Sequence, residues 1–204
     1  MQKLFCIIAL CAVAPLAAIA QGGGATPGGG AQTPPADSLA TYLQKAFKGI
    51  SANLIGSAEQ MPEANYKMKL GAMPEVRTFA ATLGHIINSN YFYCARAKGE
   101  AIPAETDYEN TLQTKAQLVK AMHDAIGYCS VVYDALTDAT AMQTVIARGP
   151  SGPGHLVLRV QVLFNNIGHD CEVYGSLVGY FRTANLVPPS TAAVNAANSG
   201  GHGS

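Results

Sequence analysis

GHLVLRVQVLFNNIGHDCEVYGSLVGYFRTANLV, residues 154–187, contains no proline, and its reading decides the fold. The opening alternates: Leu156, Leu158, Val160 and Val162 are apolar at every second position over His155–Val162, the period of a strand. From Val160 onward the apolar residues recur at helical spacing instead, through Leu163, Ile167, Cys171, Tyr174, Val178 and Phe181. The longer pattern decides for a helix starting near Pro153 and running to Thr183, before Asn185 and the Pro188-Pro189 stop.

The remaining prolines divide the chain in the same way. Residues 36–61, 75–102 and 104–149 are also free of proline, which costs a helix interior about 3 kcal/mol. In the first stretch Leu39, Leu43, Phe47, Ile50 and Leu54 form one apolar stripe behind Asp37 or Ser38 as N-cap. In the second, Pro74 stands at a helix start and Phe79, Leu83, Ile86, Ile87 and Cys94 mark an apolar face. The third helix is expected from about Thr114 to Leu136, with Leu118, Met122, Ile126, Cys129 and Tyr133 at helical spacing. Four long helices, with a long connection between the second and third, predict an all-α fold: an up-down four-helix bundle with one longer crossover.

The ends have a different character. Lys3, the apolar run Leu4–Ala17 and the small residues of Ala18-Ile19-Ala20 read as a secretory signal peptide over residues 1–20, cleaved before Gln21. Cleavage leaves no stable membrane anchor and makes the protein periplasmic or secreted. Residues 21–37 are a Gly/Pro-rich linker, 38–190 the bundle domain, and 191–204 a small, polar tail expected to be disordered. The 204 residues carry 13 Lys+Arg against 13 Asp+Glu, with no basic run, which argues against a nucleic-acid partner.

Export leaves Cys94, Cys129 and Cys171, an odd count that implies one disulfide and one free thiol. Cys94 and Cys129 both fall late in their helices. They come level if the crossover makes those helices parallel, and lie at opposite ends if the helices are antiparallel neighbours without stagger. A Cys94–Cys129 bond is expected, with Cys171 an inert thiol buried in the core stripe of the fourth helix.

Among the histidines, His85 shares a stripe of the second helix with Thr82, Asn88 and Ser89, and His169 a stripe of the fourth with Asn165, Asn166, Glu172 and Val173. Two such semi-polar stripes are what a polar cleft within a bundle needs, and also what two solvent faces look like. Spacing alone makes no metal motif of them. His123 reads as a surface residue, and His155 and His202 as loop and tail residues. There is no G-x-S-x-G elbow and no phosphate loop, since Gly149–Gly154 lacks the lysine such a loop requires.

Two segments carry a family resemblance. Met61-Pro62-Glu63 to Tyr66 and Met73-Pro74-Glu75-Val76-Arg77-Thr78-Phe79, ahead of His85, form the first; His169-Asp170-Cys171-Glu172-Val173-Tyr174-Gly175, continuing to Tyr180-Phe181-Arg182 and Val187-Pro188-Pro189, forms the second. The chain thereby resembles the DinB-like superfamily over about residues 38–190. The resemblance implies a four-helix bundle holding a divalent metal, Zn²⁺ or Ni²⁺, through one histidine of the second helix and an H-x3-H pair of the fourth. Carried onto this chain, these positions are His85, His169 and Val173, and valine coordinates nothing; Glu172, one residue away, is the substitute ligand within reach. The expected function is an exported bundle with a degenerate metal site and no established reaction. An active metal-dependent hydrolase or thiol transferase, and a non-catalytic module that forms a homodimer through an apolar bundle face, are the alternatives.

Overall fold

The computed structural model describes residues 37–103, 107–148 and 154–200. The leader, the linker to residue 36 and His202 lie outside the described residues. The long helices are α1 (Leu39–Gln60), α2 (Phe79–Lys98), α4 (Lys115–Asp134) and α6 (Arg159–Thr183), with short helices α3 (Tyr108–Thr111) and α5 (Asp138–Ala141) in the connections and α7 (Pro189–Gly200) at the end. No described helix is long and apolar enough to cross a membrane.

Each start has a chemical cause. Ser38 caps α1 by accepting from the Thr41 N–H, and Thr114 with Gln117 forms a capping box at α4. The second helix begins at Phe79 and not at Pro74. Thr78 caps it through the Ala81 N–H, while the Phe79 and Ala80 N–H groups donate to the Met68 and Tyr66 carbonyls of the preceding loop. Those first-turn donors are satisfied by tertiary partners, so the chain before Thr78 has no need of a helical turn.

The pairings between helices set the directions. Gln44 Nε2 donates to the Tyr133 carbonyl at 3.0 Å and Lys115 Nζ to the Met61 carbonyl at 3.0 Å, so α1 and α4 are antiparallel. Arg159 Nε donates to the Ala97 carbonyl at 3.0 Å, while the Tyr180 hydroxyl reaches the Arg77 carbonyl at the other end, so α2 and α6 are antiparallel. The expected Cys94–Cys129 disulfide joins α2 to α4 late in both, which makes these two parallel. The bundle therefore runs up, down, down, up, and the connection carrying α3 climbs back along α2.

Three sequence expectations are corrected. His155–Leu158 is a strand, β2, paired antiparallel with β1 (Thr144–Ala147), and α6 begins only at Arg159. The first half of the alternation is strand, answered by the β-branched Thr144, Val145 and Ile146 opposite, while Val160 and Val162 belong to α6. His155 is accordingly a strand residue.

The tail from Thr191 is helical as far as Gly200, with Pro189 in the first turn. It is anchored where Pro189 packs against Gly56 and where the Ser190 N–H donates to the Tyr174 hydroxyl at 2.9 Å.

Cys171 is exposed. Leu163, Tyr174 and Phe181 are core as expected, but Val160, Ile167 and Val178 are half-buried, and Asn166 and Asp170 lie inside instead. The buried face of α6 is rotated toward those two polar residues.

Non-reducing peptide maps of the purified protein should therefore show Cys94 linked to Cys129, with Cys171 alkylated without unfolding. Reduction should cost about 2–5 kcal/mol of stability. Three reactive thiols in the native protein would contradict this.

Candidate functional site

The antiparallel α2–α6 contact brings two histidines together. His85 Nε2 lies 3.2 Å from His169 Nε2, under an open pocket of about 380 Å³ whose rim includes Leu70, Glu172, Val173 and Ser176. The half-turn offset between His85 and Cys94 explains the division of labour on α2: Cys94 is bonded to α4 while His85 faces α6.

A third partner comes from the crossover. Glu109 Oε2 sits 3.1 Å from His85 Nδ1, and its Oε1 accepts from Arg77 Nε at 2.7 Å. This closeness depends on Gly84, because a Cβ there would stand 2.5 Å from the Tyr108 carbonyl oxygen and 2.6 Å from Glu109 Cα. Only glycine lets α3 lie this close against α2. With Nδ1–H donating to Glu109, His85 turns its Nε2 lone pair toward His169.

His169 is in a different environment. Burial, and then the neighbouring His85, hold its imidazole below the ordinary histidine value, so it is neutral at pH 7. Its Nδ1 is buried without a hydrogen-bond partner among the described residues. The arrangement satisfying the pair is His169 Nε2–H donating to His85, leaving Nδ1 as an unprotonated acceptor.

Behind the histidines lies a buried polar layer. Asp170 has 0% exposure and its Oδ1 accepts from Asn90 Nδ2 at 2.9 Å. Asn166 Nδ2 lies 3.4 Å from Asp170 Oδ2, and Tyr133 donates to Asn166 Oδ1 at 3.0 Å.

Comparisons with known proteins identify the family and the fold. The profile of the DinB superfamily matches residues 26–170. The chain belongs to the DinB superfamily. The crystal structure of a DinB-like protein from Bacillus cereus ATCC 10987 overlays with a TM-score of 0.58. It covers 72% of this chain and 93% of that one at 11% identity, a likeness of fold. Among curated proteins none is significantly similar in sequence.

Position 173 is where the chain departs from the ligand pattern that the resemblance implies. Val173 lies on the pocket one turn after His169 and offers no donor atom. Glu172 lines the same pocket but is exposed. Among the described residues no group of three His, Cys, Asp or Glu side chains is placed to hold a metal ion. His123 pairs with Glu59 at the surface, as expected of it.

Sequence reasoning put His85 and His169 each on a semi-polar stripe without deciding between a shared cleft and two solvent faces, and it missed Glu109, whose approach depends on the contact at Gly84. It also missed the Asn90–Asp170 pair. The signal for the latter was present, since an acid with no basic residue three or four positions away invites the question of what satisfies it.

Burial pushes the Asp170 carboxyl up to about 8, the Asn90 hydrogen bond opposing in part. The folded chain then keeps a proton that the unfolded chain releases near pH ~4. The resulting stability is complete below that pH and is lost as pH rises through about 8. In metal-free buffer the denaturation midpoint should fall between about pH 5 and 9, and Asp170→Asn should flatten that fall. Parallel curves for the two proteins would contradict it.

Proposed function

We propose that this protein is an exported DinB-superfamily bundle whose His85–His169 pair holds a divalent cation, Zn²⁺ or Ni²⁺, weakly, with no reaction yet assigned. The observation that carries this reading is the facing pair of Nε2 atoms at 3.2 Å. Two imidazole nitrogens bound to one tetrahedral zinc stand about 3.3 Å apart, from Zn–N bonds of about 2.0–2.1 Å. Glu109 on the far nitrogen of His85 supplies the carboxylate support that metal-bound histidines commonly have. The donor set fits such an ion, incompletely.

Two features make the binding weak. Val173 removes the third imidazole. The ion must also displace the Nε2 proton of His169, and the proton then belongs on a buried Nδ1 with no acceptor. A cation held here would supply Lewis-acid chemistry. The chain's own contribution is to fix the His85 tautomer through Glu109 and to keep His169 neutral by burial. An active hydrolase or transferase would need Glu172 to turn inward from the rim, its presence on the same pocket being the feature that favours this second reading. Export also separates the protein from the cytoplasmic thiols that such a transferase would use.

Val173→His restores the i, i+4 spacing with His169, the side chains then lying about 40° apart on one face. Zn²⁺ or Ni²⁺ affinity, measured calorimetrically on untagged protein, should rise by at least about tenfold, roughly 1.4 kcal/mol. Adding His85→Ala should abolish the gain. No gain from Val173→His would mean that the two histidines do not converge on an ion.

A further inference from the structure

We propose that Ser89 Oγ is the third protein donor of this site, giving an N2O set drawn from α2 and α6. The proposal rests on the reading of His85 and His169 as a cation pair and adds the group that completes it. Ser89 lies four residues after His85 on α2, about 40° around the helix, and so on the same face. It is 9% exposed, and its hydroxyl lies 3.5 Å from His169 Nε2, the atom that faces His85.

How the neighbouring hydroxyls are used sets Ser89 apart. Ser57 and Ser130 return theirs to the carbonyl four residues back, the usual habit of serine within a helix. Thr82 and Tyr180, both on the pocket, spend theirs on the Thr78 and Arg77 carbonyls. Ser176, on the rim, is exposed. Among these hydroxyls only that of Ser89 lies within hydrogen-bond reach of a histidine nitrogen, His169 Nε2. The family position for a third ligand, one turn along α6, is apolar here, while the polar atom sits one turn along α2. A neutral hydroxyl is a harder and weaker donor than imidazole, so the site suits a divalent first-row ion that accepts mixed nitrogen and oxygen ligands.

The test uses the untagged full chain and two probes, ZnCl₂ in calorimetry and CoCl₂ in absorption spectroscopy. Ser89→Ala should weaken Zn²⁺ binding on the order of tenfold, the scale of effect for groups that complete a metal site. Ser89→Cys should add a near-ultraviolet thiolate-to-cobalt charge-transfer band over the spectrum of wild type, whose only free thiol among the described residues is Cys171. An unchanged affinity in Ser89→Ala overturns the proposal whatever the cysteine variant does. Weakened binding in Ser89→Ala without the cobalt band in Ser89→Cys also overturns it, assigning the loss to packing. If His85→Ala and His169→Ala lose binding in either of those cases, the two-imidazole reading stands alone. If wild type binds neither metal, both fall together.

Discussion

The hydrogen bond from Asn90 to Asp170 sets the arrangement of α2 and α6. It lies in a dry core, where an unsatisfied carboxyl or amide is expensive, so the two helices pack in the rotation that pairs them. Once Asp170 faces inward, the 100° step of the helix disposes its neighbours. His169 turns to the pocket side opposite His85, and Cys171 turns out to solvent. The disulfide beside Asn90 and the Tyr133 contact to Asn166 tie the same layer to α4. The site is a consequence of how the polar core is satisfied.

The four helices were legible because their apolar spacing is long and prolines separate them. The semi-polar stripes of the two histidines were legible for the same reason, but not that the stripes face each other. The rotation of α6 was not. Counting apolar residues put Cys171 inside, whereas the structure buries Asn166 and Asp170, whose polar atoms are met by Asn90 of α2 and Tyr133 of α4. The hairpin was hidden by a different conflict, since His155–Leu158 borders a much stronger helical pattern and its partner Thr144–Ala147 is short. The disordered-tail expectation failed because composition reports low hydrophobicity but not the anchor at Pro189 and Ser190.

Within the pocket the two histidines have unequal support. His85 has a carboxylate behind it, delivered by a crossover that only Gly84 admits. His169 has burial, no acceptor at Nδ1, and a valine where the family pattern places another imidazole. The approach of α2 to α6 and the carboxylate behind His85 are in place, while position 173 offers no ligand atom. Family membership accounts for the fold, and on the proposed reading these particular residues set how strongly an ion would be held.

The most direct test of the central claim is anomalous diffraction from crystals of the untagged protein soaked in a zinc salt. The account predicts one anomalous peak bonded to both His85 Nε2 and His169 Nε2, with Glu109 remaining on His85 Nδ1. A map with zinc only at surface residues such as His123, and none between the two imidazoles, would contradict it.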